Sequence, residues 1–184
     1  MRPGSIQTDR LLLRPFRASD AADVQRLAGE REVAATALDI PHPMELWMAE
    51  EWIRICQQGR RRGDFYCFAI VAREDKALVG SIGLVISKEH ERAELGYWVG
   101  KPYWNCGYCT EAARAIIEYG FKQLGLNRIH SNHFLGNPAS GRIMQKCGMK
   151  YEGRVRQHVK HWDKFEDLEL YAILKSEYEA GKES

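Results

Sequence analysis

A chain of 184 residues with 45% hydrophobic and 28% charged side chains is long and apolar enough to bury one core, and too mixed to be disordered or membrane-embedded. No apolar run approaches the roughly 20 residues of a membrane-spanning helix, and the opening Met1 to Arg10 lacks the apolar stretch of a secretory signal. A formal net charge of only +2 argues against nucleic acid as an obligate partner.

Residues 10–17 alternate Leu and Arg and predict a first strand. Ser19-Asp20 then caps a helix with Ala21, Ala22, Val24 and Leu27 on one face. Pro41 and Pro43 mark a turn. Leu46, Trp47, Ile53 and Cys56 predict a second helix over 45–58, and the run Arg60-Arg61-Arg62 reads as a solvated loop after it. Residues 65–72 and 77–86 are two β-rich runs around a charged turn, a hairpin signal. Residues 92–99 form the next strand. From 110 to 124 the apolar pairs Ala112/Ala113, Ile116/Ile117 and Gly120/Phe121 recur at helical spacing, and Gly125 ends the stripe. Residues 128–134 alternate again, with Ile129, Ser131 and His133 on one face. A short helix spans Pro138 to Lys146, and two final strands are expected near 149–157 and 166–174. No repeat, low-complexity tract or linker marks a boundary, so residues 1–184 are expected to form one domain. The order βααβββαβαββ predicts an α/β or α+β sheet covered by helices.

The most informative stretch runs from the strand at 92–99 through Trp104-Asn105-Cys106-Gly107-Tyr108-Cys109-Thr110-Glu111 into a helix. A strand feeding a tight glycine-bearing loop at a helix start gathers backbone N–H groups around one point, where the helix dipole adds positive charge. Such a place binds phosphate or pyrophosphate. There is no G-x-x-x-x-G-K-[ST] and no G-x-G-x-x-G after a strand, so neither a nucleoside triphosphatase nor a dinucleotide fold is indicated. On its own, the segment is equally a plain strand–turn–helix.

Six ordered motifs carry a resemblance. These are Thr8-Asp9-Arg10-Leu11-Leu12-Leu13-Arg14, Glu94 to Trp98, Gly107 to Ala112, Leu126 to Ile129, Asn137 to Ser140, and Lys146 to Met149 followed by Tyr151-Glu152-Gly153. Together they resemble the GNAT superfamily of acyl-CoA-dependent N-acetyltransferases, and more closely its RimJ/RimL-type branch, which acetylates protein N-terminal amines and small amines. The resemblance covers nearly the whole chain. It implies a splayed, mixed, mostly antiparallel sheet of seven strands flanked by about four helices, with 92–99 and 128–134 diverging at the centre.

It also implies acetyl-CoA as co-substrate and direct attack by a primary amine in a ternary complex. Backbone groups of Trp98, Val99 and Gly100 would pair with the pantetheine arm. Amides from Cys106 through Gly107, Tyr108, Cys109, Thr110 and Glu111 would hold the pyrophosphate, and Asn137 would bind the arm from the far side. Ser140 matches the position from which a hydroxyl reaches the departing sulfur, and His133 and Glu94 are the candidate bases, with His158 and Glu152 behind them. Trp47, Trp52, Phe65 and Trp162 could line the acceptor pocket or serve the core. The acceptor is open, as is the choice between monomer and homodimer. A non-catalytic acyl-CoA-binding module on the same fold is the alternative. The loop departs from the superfamily pattern at Trp104, Cys106 and Cys109.

Cys106-Gly107-Tyr108-Cys109 at a helix start also fits a redox dithiol, although thioredoxin-like chains place the motif much earlier. Zinc would need further ligands, with Cys147, His130 and His133 as candidates, and no second Cys-x-x-Cys exists, so no metal is expected. The five cysteines, an odd set without a signal, predict a reduced, cytoplasmic setting.

Overall fold

The computed structural model describes residues 4–181. Eight strands form one sheet: β1 (Ile6–Gln7), β2 (Leu11–Arg14), β3 (Phe65–Ala72), β4 (Leu78–Ser87), β5 (Arg92–Val99), β6 (Arg128–Phe134), β7 (Lys150–His161) and β8 (Lys164–Leu174). Their order is β1-β2-β3-β4-β5-β6-β8-β7, antiparallel throughout except for β5 beside β6. The helices are α1 (Ala21–Ala28), α2 (Arg31–Ala34), α3 (Leu46–Arg62), α4 (Tyr108–Gln123), α5 (Pro138–Lys146) and α6 (Lys175–Ala180). The eighth strand, β1, is two residues long, too short for any periodic signal. Four of the helices have eight or more residues, and α2 and α6 are short additions.

Strand alternation gives the sheet two faces and two cores. On one face Leu84, Ala93, Leu95 and Ile129 pack with Ala112, Ala113, Ile116 and Ile117 of α4 and Met144 of α5. On the other, Cys67, Ala69, Val71 and Trp98 pack with Val24 and Leu27 of α1 and Ala49, Ile53 and Cys56 of α3. In α1 the buried set is Ala21, Val24, Leu27 and Ala28, whereas Ala22, about 100° further round the wheel from Ala21, is exposed.

The triple-arginine run is the last turn of α3 rather than a loop. Arginine is a good helix former and its charge suits a helix C-terminus, so nothing breaks the helix before Gly63, which adopts φ 72°. Arg60 also lays its guanidinium over the Phe68 ring, 4.8 Å from the centroid. The final hairpin is longer than its periodicity indicates. The edge strand β7 is mostly exposed and carries Arg154, Arg156, Gln157 and Lys160, so it shows no apolar alternation from which to read its length.

The sheet opens at its centre. β5 and β6 pair at only three rows, Arg92↔Arg128, Ala93↔Ile129 and Glu94↔His130. Beyond them the strands diverge. Ser131 marks the fork, its buried hydroxyl donating to the Leu95 carbonyl at 2.7 Å.

Candidate active site

The fork opens into a cavity of about 1030 Å³ that runs through the sheet. That is room for a ligand well above water size. One rim is the half of β5 that has no partner on its β6 side. Gly100 donates its amide to the Val79 carbonyl of β4 at 2.9 Å, and the β4–β5 register makes Ser81↔Trp98 the next hydrogen-bonded pair. The intervening residues Tyr97 and Val99 therefore turn their backbone groups toward the gap. The Val99 carbonyl is capped there by the Trp104 indole N–H at 2.7 Å. Of the three residues expected to pair with a pantetheine arm, Val99 faces the gap, while Trp98 and Gly100 are committed to β4. Tyr97 faces the gap beside Val99.

At the end of β5 the chain passes Asn105 (φ 62°) and Gly107 (φ 78°) into α4. Gly107 is the residue before the first turn, in a left-handed conformation that costs other residues strain. The first-turn amides Tyr108, Cys109 and Thr110 have no acceptor within the helix. Glu111 differs from the expectation. Its amide closes the first turn onto the Gly107 carbonyl at 3.1 Å, and its carboxylate points away toward the N-terminal strands. There it accepts from Thr8 Oγ1 at 2.6 Å, the Arg10 amide at 2.9 Å and Arg10 Nε at 2.7 Å. Arg10 also donates to the Cys106 carbonyl at 2.9 Å and lies over the Tyr108 ring. Glu111 is thus a clamp on the loop rather than a ligand-binding amide. Burial alone would raise its pKa, but the bonds from Thr8 and Arg10 outweigh this and hold it below the usual range.

Across the gap, α5 starts at Asn137, which lines the cavity. Ser140 is buried and its Oγ lies 2.7 Å from the Tyr97 hydroxyl, so a side chain of β5 and one of α5 meet across the fork. Burial pushes the Tyr97 phenol far above its usual pKa, so it stays protonated. Arg142 and Lys146, further along α5, put positive charge on the wall that also holds the α4 start. Arg114 of α4 binds the Lys146 carbonyl at 3.0 Å and ties the two helices together.

Glu94 and His133 lie on opposite faces. Glu94 is the last residue of β5 paired with β6, exposed on the α1–α3 side, and accepts from Asn132 Nδ2 at 2.9 Å. His133 shares the α4–α5 face with Ile129 and Ser131 and is 5% exposed. Its Nδ1 lies 2.8 Å from the Phe134 carbonyl, and Nε2 lies 3.4 Å from Glu169, without a hydrogen bond. A Cβ added to Gly141 would meet that Nε2 at 2.6 Å, so α5 needs a glycine there. His133 thus lines the cavity from the α4–α5 face, beneath α5, across the sheet from Glu94. His158 lines the cavity from β7, while Glu152 is held by both nitrogens of the Arg128 guanidinium and does not line it. Trp47, Trp52 and Phe65 line the cavity on the α3 side, and Trp162 instead sits at the tip of the β7–β8 hairpin under Arg31.

Burial raises the Cys109 thiol, and pushes Cys147 up to about 11. Both stay protonated at neutral pH. Among the described residues no group of three His, Cys, Asp or Glu is placed to hold a metal, and no helix is long and apolar enough to cross a membrane.

Four side chains at the site carry no role in the motif analysis: Tyr97, Arg10, Arg142 and Lys146. Tyr97, Arg10 and Lys146 lie inside motifs quoted above, so their signal is present as a pattern without a mechanism.

The sequence profile of the acetyltransferase (GNAT) domain matches residues 10–150. The uncharacterized N-acetyltransferase YoaA of Bacillus subtilis (strain 168) is 32% identical over 174 residues, covering 92% of this chain and 96% of that protein. Among solved structures, a GNAT-family acetyltransferase from Bacillus anthracis superposes with a TM-score of 0.84 at 27% identity, over 94% of this chain and 99% of that one. RimL, a ribosomal-protein acetyltransferase solved with coenzyme A, has the same fold, with a TM-score of 0.86 at 16% identity over 92% and 97% of the two chains. The motifs, the forked sheet and these likenesses agree, and the chain belongs to the GNAT family of N-acetyltransferases.

Proposed function

We propose that the protein transfers an acetyl group from acetyl-CoA to a primary amine within a ternary complex, with a protein N-terminal α-amine among the acceptors that the RimJ/RimL-type motifs admit. The observation that carries this reading is the fork itself: an open strand edge leads from the helix-start amides to the Tyr97–Ser140 pair. The coenzyme A bound by the RimL neighbour on this fold supports it.

The residues present fit such a ligand. The amides of Gly107, Tyr108, Cys109 and Thr110, with the α4 dipole and the charges of Arg142 and Lys146, suit a pyrophosphate. Tyr97 and Val99 offer strand-type hydrogen bonds along the gap, and Asn137 lines the opposite side. Acetyl-CoA supplies an activated acetyl group as a thioester. The Val99 amide faces the place where negative charge on a carbonyl oxygen would need a donor. The Tyr97 hydroxyl lies 2.7 Å from Ser140 Oγ and 3.2 Å from the Ser140 carbonyl; in the proposed mechanism it would donate to Oγ, which would leave the Ser140 proton to protonate a departing thiolate. Glu94, on the α1–α3 side and held by Asn132, accepts the proton of the incoming ammonium directly or through water. His133, buried under α5, is given a packing role.

Free-thiol release from acetyl-CoA in the presence of an amine panel tests the reading, with binding followed by calorimetry. Amine-dependent release is expected. Tight acetyl-CoA binding without release over any amine would instead favour a non-catalytic binding module.

A further inference from the structure

We propose that the acceptor is an amine carried on an apolar, aliphatic or aromatic body, with no carboxylate beside the amino group. This rests on the acetyltransferase reading above and concerns the half of the cavity on the α1–α3 side.

Four large hydrophobic side chains that the fold leaves exposed line this half: Leu38 (45% exposed), Trp47 (62%), Ile55 (45%) and Val85 (53%). Folding does not need them there. The helix α3 already buries one stripe, Ala49, Ile53, Cys56 and Gly59, against β3. Trp47, Glu51 and Ile55 fall at i, i+4 and i+8 and form a second stripe on another side of the helix. An amphipathic helix has one apolar face when it serves only the core. A second, clustered around a cavity, belongs to what enters it.

The charges have one sign. The acidic residues lining the cavity are Asp39, Glu51 and Glu94, all on this side, with Glu51 also ion-paired to Arg54. The lysine and arginine that line it, Lys146 and Arg142, are both on α5, across the sheet. An ammonium group therefore meets complementary charge. A carboxylate on the same carbon would meet like charge and find no cationic partner, which disfavours free amino acids. A polyamine's second ammonium would have to compete with Arg54 for Glu51, and its chain offers Trp47, Trp52 and Ile55 less apolar surface than an aromatic or aliphatic body does.

The test compares thiol release from acetyl-CoA with phenylalanine, phenylalaninamide, phenethylamine, glycinamide, spermidine and a hexapeptide beginning with phenylalanine. Phenylalaninamide and phenethylamine should exceed phenylalanine, glycinamide and spermidine by about tenfold or more in kcat/KM, about 1.4 kcal/mol. The hexapeptide arm separates a free small amine from a peptide N-terminus as the source of that chemistry. In Trp47→Ala the ratio of phenethylamine to glycinamide should collapse toward one. Equal use of phenylalanine and its amide, preference for spermidine, or an unchanged ratio in Trp47→Ala would overturn the proposal. Should no amine be turned over, the acetyltransferase reading fails by itself. The pocket is then read from the fluorescence change that phenethylamine causes and Trp47→Phe abolishes. Absence of that change, or an equal change with phenylalanine, overturns the proposal too.

Discussion

At the Tyr97–Ser140 pair a hydroxyl of β5 meets one of α5 across the fork. Two hydroxyls 2.7 Å apart must order their donors, and the high pKa that burial imposes on Tyr97 keeps its proton in place. If Tyr97 orients Ser140, Tyr97→Phe should lower kcat by about tenfold and leave KM for acetyl-CoA near its original value. Ser140→Ala should cost about 10²–10⁴ in kcat, the usual range for a positioned proton donor. Steady-state kinetics on both variants decides the order. A Tyr97→Phe loss as large as that of Ser140→Ala would make the tyrosine the direct donor. Gly107 offers a second check. Its φ of 78° and the Arg10 nitrogen 3.3 Å from an added Cβ leave little freedom. Gly107→Ala should weaken acetyl-CoA binding severalfold by calorimetry, and unchanged affinity in a folded variant would remove the loop from the pyrophosphate site.

At the scale of elements, the first strands hold the loop that opens α4. Thr8 and Arg10 converge on Glu111, and Arg10 reaches on to the Cys106 carbonyl, so residues about a hundred positions apart fix one backbone conformation. Arg10→Ala should raise KM for acetyl-CoA severalfold while kcat stays within about twofold, because the chemistry sits at the far end of the fork. The clamp also has a sign in pH. Glu111 is held below its ordinary value of 4.5, so its contribution is present above that pH and fades as the pH falls through the folded-state value. Calorimetric acetyl-CoA affinity should drop in that acid window in the wild type and stay flatter in Glu111→Gln. Equal pH profiles would show that the carboxylate plays no part.

Much of this element scale was legible beforehand. The strand at 92–99, its neighbour at 128–134 and the helix at 138–146 are bounded by glycine, proline and strict alternation, and they match residue for residue. The fork itself carries no local signal, since divergence is a relation between two strands, and only the family resemblance supplied it. The side of the sheet on which His133 lies was equally hidden. Alternation groups it with Ile129 and Ser131, but which helices cover that face is a tertiary fact. For Glu111, a helix-start position does not reveal whether its amide or its carboxylate is engaged.

For the molecule as a whole, the two helical layers must keep a fixed relation across the sheet, since one would hold the acetyl donor and the other the acceptor. One polar tie between the sheet and the α1–α3 layer is the ion pair of Arg14, at the end of β2, with Asp20, just before α1. Both carboxylate oxygens are engaged, at 2.7 and 2.8 Å, and the side chains are only 15% and 9% exposed. The Arg17 amide donates to the same carboxylate at 2.8 Å. Burial would raise the pKa of Asp20, but these bonds prevail and lower it from 3.8. Its contribution to stability is thus present above about pH 4 and lost as the pH falls through the folded-state value. Replacing Asp20 by Asn strands a buried guanidinium, a change that typically costs about 3–5 kcal/mol. At roughly 2–4 °C per kcal/mol for a chain of this size, Tm should fall by roughly 6–20 °C. The double variant Arg14→Met/Asp20→Asn should recover part of that loss, because it removes the unpaired charge. Kinetics should separate the layers: in Asp20→Asn, at a temperature where it stays folded, KM for the amine should rise more than KM for acetyl-CoA. A Tm within about 2 °C of wild type would show that the pair is solvated well enough to be dispensable. An equal rise in both KM values would show that the layers move together, so that the tie belongs to the whole sheet rather than to the acceptor wall.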